Sequence, residues 1–183
     1  MKLRRPSFPN IQGTAGYFFI QAGHRVTAVE HAIEVIGRHA AEARTSFADD
    51  PIMAALEQPM EAWVVVSMFQ GAWLREYHEW EKATKSYFEG QHERNKAPKP
   101  DWRAKIPNLT GQSSHVDRIR AQLLLFGASL SKPILDTIDV QRRLVNAAKH
   151  EEEYFASEQD YQALVEAIAD FWNELAQQEQ FTV

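Results

Sequence analysis

Apolar and aromatic residues recur at three- and four-residue steps through most of the chain, which is the spacing of one face of an α-helix. Alternating patterns typical of β-strands are scarce. The longest stripe lies in the middle of the sequence: Val66, Phe69, Trp73, Tyr77, Trp80, Thr84 and Tyr87. Large aromatics on such a stripe are far more often core than a cofactor-binding surface. The period therefore predicts an all-α fold with this helix in its core.

Three further stripes have the same period. They comprise Val26, Val29, Ile33, Ile36 and Ala40; Val116, Ile119, Leu123, Phe126 and Leu130; and Tyr161, Leu164, Ile168, Phe171 and Leu175. The stretch 133–155 is also helical in pattern, although the pattern does not decide between one helix and two. Together with the long helix, these stretches predict a bundle of about five main helices.

Start and stop residues give the expected boundaries of the long helix. Asp50 can cap a short helix, and Pro51 can occupy its first turn. We expect the long helix to begin separately, at about Met60, and Gly90 to end it or weaken its last turns.

Other caps are expected later in the chain. Ser113 or Ser114 can cap the next helix, and Asp139 can cap the helix that carries the segment RRLVNAAKH. SEQD at 157–160 is similar to a capping box, with Asp where Glu or Gln is usual.

The length of 183 residues fits a single domain spanning 1–183, and 44% hydrophobic residues can supply a sizeable core. We expect residues 1–13 to form an extended N-terminal segment. Residues 95–112 contain several prolines, few large apolar residues and a basic bias, which predicts a long connecting loop.

Composition limits the cellular locations and the kinds of binding site that this chain can have. The chain has no cysteine, which excludes disulfides and thiolate metal sites, and its formal charge is −5, which argues against a protein that coats nucleic acid. No apolar run reaches the roughly 18 residues of a membrane span. The first residues are basic, but prolines stand where the apolar part of a signal peptide should follow. We therefore expect a soluble, cytoplasmic protein without membrane contact.

Metal and cofactor signals are weak. Two-iron bundles need Glu-x-x-His motifs on two helices, and this chain has one, Glu89 to His92, which Gly90 interrupts. His24, His31 and His78 could bind a metal together, but their spacing does not require it. We expect no metal and no cofactor. His78 lies in REYHEWEK, where Glu76, Glu79 and Glu81 with nearby lysines indicate a solvated face.

The segment 142–150, RRLVNAAKH, holds the strongest candidate site. Arg143 and His150 are seven positions apart and about 20° out of phase on a helix, with Asn146 on the same edge. We expect these residues to border an apolar face and Arg142 and Lys149 to point further into solvent. That face would comprise Leu144, Ala147, Ala148 and Val140. Cations in a last helical turn also complement the helix dipole, so an ordinary helix end has the same appearance.

The final third of the chain, and RRLVNAAKH above all, resembles the HEPN domains of prokaryotes. These all-α bundles are marked by an arginine, four to six intervening residues and a histidine. Arg143 and His150 fit with six intervening residues, whereas Arg142 would need seven. The family often has a polar residue directly after the arginine. Here Leu144 stands in that place and Asn146 follows two positions later.

The resemblance implies a metal-independent RNA endonuclease of a toxin or phage-defence type. Arg143 and His150 would be catalytic, and Asn146, Arg142 and Lys149 would bind substrate. Family members work as dimers with their motifs face to face, which implies a homodimer here, an RNA substrate and an antitoxin protein as a further partner.

Two other functions stay open. The net acidity of the chain and the Leu144 that follows Arg143 favour a non-catalytic helical module that binds another copy or another protein. Arg143 would then serve in an interface salt bridge. A metal-dependent hydrolase that uses scattered histidines and carboxylates is the third possibility.

Overall fold

The computed structural model describes residues 14–94, 114–150 and 154–179. All regular secondary structure in these ranges is helical, which confirms the all-α bundle of about five helices. The helices are α1 (Thr14–Ser46), α2 (Pro51–Arg94), α3 (His115–Leu125), α4 (Lys132–His150) and α5 (Glu158–Glu179). The expected extended segment 1–13 and the expected loop 95–112 lie outside the described residues. None of the described helices combines the length and the apolar character that crossing a membrane requires.

The last helix, α5, is the centre of the bundle. It packs against α1, α2 and α4, while α3 contacts α2 and α4. Each residue of the predicted α5 stripe is at most 1% exposed: Tyr161, Leu164, Ile168, Phe171 and Leu175. Trp172, beside the stripe, is fully buried as well. A helix that is buried around so much of its circumference belongs to the interior of the fold.

The aromatic stripe of α2 is core, as predicted, except at its first residue. Phe69, Trp73, Tyr77, Trp80, Thr84 and Tyr87 are buried. Trp80 meets Phe171 of α5 edge-on, with ring centroids 5.5 Å apart. Val66 is exposed, so its assignment to the core was wrong. The partly buried Val65 packs against the core instead.

The long helix α2 starts earlier and ends later than its sequence signals indicate. Asp50 caps it as predicted, because its Oδ1 accepts hydrogen bonds from the backbone N–H groups of Ile52 and Met53, both at 3.1 Å. The predicted separate start at Met60 is wrong, since the helix runs unbroken through Pro59. The predicted end at Gly90 is also wrong. A proline inside a helix costs about 3 kcal/mol and a glycine about 1 kcal/mol relative to alanine, and a helix of 44 residues continues through both.

The caps of α3 and α5 follow their local sequence. Ser114 and Asp117 form a complete capping box, with Asp117 N–H donating to the Ser114 hydroxyl at 3.1 Å and Ser114 N–H to the Asp117 carboxylate at 3.1 Å. Ser157 and Asp160 make the same pair of bonds, at 3.2 and 2.8 Å, which confirms the predicted box. Aspartate thus replaces the usual glutamate in both places.

The third helix is shorter than its apolar stripe. Val116, Ile119 and Leu123 are buried, but the helix ends at Leu125. Gly127 follows with a φ of 66°, the left-handed conformation that glycine adopts readily and that commonly ends a helix. The predicted stripe was therefore too long, since Phe126 and Leu130 reach the core from the connection that follows the helix.

Candidate functional site

The fourth helix is one continuous element, and it places RRLVNAAKH in its last turns. Asp139 lies inside this helix, so its predicted role as a cap is wrong. The buried face differs from the predicted one as well. Its residues are Ile134, Leu135, Ile138, Gln141 and Val145, while Val140 is 48% exposed and Leu144 and Ala148 are only half-buried. Arg143 follows Ile138 by five positions and thus lies about 140° around the helix from it. It stands on the outer side of α4 and does not border the core.

Asp139 holds both arginines of the motif. Its Oδ1 accepts a hydrogen bond from Nε of Arg142 at 2.9 Å, and its Oδ2 accepts one from Nη2 of Arg143 at 3.0 Å. The positions i+3 and i+4 both neighbour position i on a helix surface, which is why one carboxylate reaches the two guanidinium groups. These ion pairs orient Arg143 without burying it, since its side chain is 67% exposed.

Arg142 is the more buried of the two arginines, with 21% of its side chain exposed. The prediction that it points further into solvent than Arg143 was therefore wrong. Its charge and that of Asp139 act on the buried Tyr77 hydroxyl of α2. Burial above all, and then the nearby charge of Glu81, raise the pKa of that tyrosine. Arg142 is thus partly buried and its charge acts on Tyr77, whereas Arg143 is exposed.

The remaining motif residues occupy the end of α4. Asn146 and Lys149 are exposed. His150 is the last residue of the helix, and its side chain lies outside the described part of the chain. The backbone places His150 two turns beyond Arg143 and nearly in phase with it.

Aromatic residues and one glutamine attach the chain after α4 to helix α2. The Gln70 amide donates to the carbonyl of Tyr154 at 3.5 Å and accepts from the N–H of Ala156 at 2.6 Å. The ring of Phe155 meets Trp63 edge-on, with centroids 5.9 Å apart. Residues 154–156, which precede α5, therefore lie beside the middle of α2.

A second polar cluster joins α2 to α3. His78 pairs with Glu81 at 3.2 Å and is partly exposed, in line with the predicted solvated face. Sequence analysis missed His115, whose Nε2 lies 2.9 Å from the Thr84 hydroxyl. Thr84 is buried, and its hydroxyl lies 3.0 Å from the Trp80 carbonyl and 2.9 Å from the Glu81 carbonyl, to which it can donate its hydrogen bond. Burial lowers the pKa of His115.

A buried ion pair connects α1 to α2. Glu76 was predicted to belong to the solvated face, but it is 2% exposed, so that prediction was wrong. Both its oxygens accept hydrogen bonds from Arg25, at 2.6 and 2.7 Å. Burial by itself would lower the pKa of the Arg25 guanidinium, but these bonds and the carboxylate charge raise it overall. The partner lies 51 residues away, and no local signal reveals it.

This ion pair lines a groove of about 510 Å³ between α1 and α2. Small and apolar residues form much of the wall, among them Ala28, Ala32 and Gly71, and Tyr161 of α5 completes it. The same groove receives His24 and Arg75. It combines an apolar lining with a modest excess of positive charge, yet it lies on the α1 side of α2, away from α4.

The histidines whose side chains the structure describes do not converge on a metal site. Among residues 14–94, 114–150 and 154–179, no group of three or more histidine and carboxylate side chains is placed to hold a metal ion. His24 and His31 are exposed on α1, and His78 is engaged with Glu81 on α2. The described residues therefore do not gather the scattered histidines that a metal-dependent hydrolase would need.

Chemically, the end of α4 offers an exposed, oriented guanidinium and a helix-terminal histidine. An arginine fork can bind a phosphate, and a histidine can take or give a proton near neutral pH. The sequence placed Arg143 and His150 on one helix, and α4 contains both. Sequence analysis did not predict Asp139 as the group that orients Arg143. Comparison of the chain with protein-family models, with curated proteins and with solved structures finds no significant match.

Proposed function

We propose that this protein is a metal-independent RNA endonuclease that resembles the HEPN ribonucleases and acts as a homodimer, with Arg143 and His150 as its catalytic residues. One observation carries the proposal. Arg143 is exposed on the outer side of α4, is oriented by Asp139 at 3.0 Å, and precedes the helix-terminal His150 by two turns. The exposed Arg143 guanidinium is accessible to a phosphate of a polynucleotide.

RNA supplies its own nucleophile, the 2′-hydroxyl. The 2′-oxygen forms a bond to phosphorus as the bond from phosphorus to the 5′-oxygen breaks, which leaves a 2′,3′-cyclic phosphate and a free 5′-hydroxyl. One histidine can accept the 2′-proton, and a protonated histidine can give a proton to the departing 5′-oxygen. Arg143 supplies planar donors to the phosphate and stabilises the negative charge that builds there.

The reaction needs an acid and a base, whereas one copy of the motif contains a single histidine. A two-fold dimer supplies the second histidine by placing two motifs across one cleft. Asn146 would orient Arg143 or His150, and the exposed Lys149 would contact the RNA backbone. Arg142, held by Asp139 and more buried, would support Arg143 and add charge for the substrate.

The decisive experiment is cleavage of RNA by the purified protein with EDTA present. We expect His150→Ala and Arg143→Ala to lower the cleavage rate by roughly 10²- to 10⁴-fold, the usual contribution of an acid–base group. Arg120→Ala and His39→Ala are matched controls, because Arg120 also pairs with aspartates and His39 with a glutamate on other exposed surfaces. Equal cleavage by wild type and His150→Ala would contradict the assignment.

The biological setting that we propose is a toxin or phage-defence protein of the cytoplasm, where its RNA substrates are found. Such an enzyme needs a partner, an antitoxin protein, that restrains it. Expression of the wild-type chain alone should slow growth, and His150→Ala should relieve the effect at equal protein level.

A second function is favoured by a different observation. Half of α2 exposes large apolar side chains, including Ile52 at 72% and Trp63 at 60%. A non-catalytic module that dimerises or binds another protein needs such a surface and needs no active Arg143. A purified dimer without RNase activity, and without toxicity on overexpression, would favour this module over the nuclease.

A further inference from the structure

The N-terminal half of α2 has one apolar side that nothing covers in the described chain. Its residues recur at helical spacing and each is between 38% and 72% exposed. We name them the α2 face: Ile52, Met53, Leu56, Met60, Trp63 and Val64. In ordinary helices of a soluble monomer, residues of this size face the core.

Toward the C-terminus of α2, the same side of the helix is covered by residues 154–156. Gln70 lies seven residues after Trp63 and so occupies nearly the same side of the helix. There the chain 154–156 covers α2 through the bonds between Gln70, Tyr154 and Ala156. Trp63 is the last residue on this side of α2 that the segment contacts. Phe155 touches it, yet both residues remain more than half exposed. The α2 face therefore extends from Trp63 toward the N-terminus of the helix, beyond the part that residues 154–156 contact.

The area is large for a surface that stays in water. With Phe155, the α2 face exposes roughly 700 Å², above the few hundred Å² usual for an apolar patch of a monomer and near the about 800 Å² that each partner gives to a standard interface. An apolar surface of this size matches the area that each partner contributes to a standard specific interface.

The charges nearby indicate which partner fits. Residues 51–66 contain two charged side chains, Glu57 and Glu61, and neither is in the α2 face. Glu61 is turned toward α1, where Arg44 donates to it at 2.9 Å. Across a two-fold axis, each side chain near the axis meets its own copy, so a charge there would be repelled. The α2 face has no such charge and can pack against itself.

We infer that the α2 face is the surface on which a second copy of this chain docks through a two-fold axis. Docking there brings the second copy beside residues 154–156, because Phe155 contacts Trp63 of the α2 face. The reason that two copies are needed, a second histidine for the cleft, rests on the proposed function. The docking surface itself rests on exposure, area and charge.

The first test is the mass of the full chain in solution. Sedimentation equilibrium should give twice the chain mass of 21.0 kDa for the wild type. Leu56→Glu and Trp63→Glu should each weaken self-association by at least about 30-fold, the size expected for residues central to an interface. Leu124→Glu is the matched control, because Leu124 is 81% exposed on α3 and the same change there should leave the dimer intact.

Both substituted positions in the α2 face are exposed, so the variants should keep wild-type circular dichroism. A second measurement does not depend on disrupting the dimer. The chain has no cysteine, so Met60→Cys gives one spin label for each copy. Pulsed electron resonance should report a shorter distance between labels at position 60 than between labels at position 124 in Leu124→Cys.

A monomeric wild type, or a dimer that Leu56→Glu and Trp63→Glu leave intact, would overturn the inference. A dimer that these changes disrupt, together with wild-type protein that does not cleave RNA, would keep the docking surface and refute the nuclease. Loss of RNase activity in Trp63→Glu but not in Leu124→Glu would support both.

Discussion

Glu76 of α2 accepts two hydrogen bonds from the Arg25 guanidinium of α1, at 2.6 and 2.7 Å, although its own side chain is almost entirely buried. Removing one member of such a pair leaves the other charge poorly solvated. Since Arg25 keeps 23% of its side chain exposed, it would recover part of its hydration.

We therefore expect Glu76→Ala to lower the free energy of unfolding by roughly 2 to 4 kcal/mol, somewhat less than for a fully buried pair. Urea denaturation followed by circular dichroism measures this change. Glu79→Ala is the control, because Glu79 makes one exposed ion pair with Lys82 and should change stability by less than about 1 kcal/mol. Similar losses for the two variants would show that the buried pair adds nothing special.

Stability should depend on His115 as the pH falls. Burial, with a smaller contribution from Arg118, lowers the folded-state pKa of His115, whereas Glu81 acts in the opposite direction. Above the ordinary histidine pKa, near 6.5, the folded and unfolded chains both hold it neutral. Below that pH the unfolded chain binds the proton first, so stability is lost.

The measurement is the free energy of unfolding at pH 7.5 and at pH 5.5. His115→Gln should show a smaller loss than wild type over this window, because the remaining histidines and carboxylates are common to both proteins. The same slope in both proteins would mean that His115 keeps its ordinary proton affinity after folding.

Asp139 should contribute to activity as well as to stability. Asp139→Ala removes both ion pairs; the exposed Arg143 pair contributes about 0 to 1 kcal/mol, and the pair with the more buried Arg142 adds about 1 to 2 kcal/mol. If the proposed nuclease is correct, Arg143 then loses its orientation, and kcat should fall roughly ten-fold with little change in KM.

Asp136→Ala is the matched control for this experiment. Asp136 lies on the same helix as Asp139, outside the motif, and pairs with Arg120 of α3. Asp139→Glu should restore part of kcat by keeping the carboxylate. A fall in kcat that is equal for Asp136→Ala and Asp139→Ala would remove Asp139 from its positioning role.

The buried amide of Gln141 should contribute to stability through Trp73. The indole N–H of Trp73 donates to Oε1 of Gln141 at 2.8 Å in the contact between α2 and α4. Gln141→Leu keeps similar volume but leaves this N–H without its acceptor, which costs about 1 to 3 kcal/mol. Gln122→Leu on α3 is the control, because the Gln122 amide bonds only an exposed backbone carbonyl.

Thermal unfolding of the two variants gives the comparison. An unchanged melting temperature for Gln141→Leu would mean that apolar packing by leucine offsets the lost acceptor completely.

Short-range patterns predicted the parts of the fold that depend on short-range physics. The spacing of Leu164, Ile168 and Phe171 alone gave the buried side of α5, because a helical stripe that is broad and apolar must face the core. The caps at Ser114 and Ser157 depend on residues three positions away and were equally accessible.

The wrong predictions concern residues whose environment the local sequence does not determine. Pro59 and Gly90 are common breaking signals, but α2 continues through both of them. Glu76 looked solvated because its partner, Arg25, is on another helix. On α4 the buried face includes Gln141, a polar residue that an apolar pattern passes over, and the bond from Trp73 makes its burial possible. Without Gln141 and Val145, the predicted face was rotated toward the exposed Val140.

Gln70 has a mechanical consequence. A single side chain of α2 binds the backbone on both sides of Phe155, at Tyr154 and at Ala156. The ring contacts of Phe155 with Trp63 and of Tyr154 with Trp73 add to these two bonds, so the segment that leads into α5 is fastened to α2 at three successive residues.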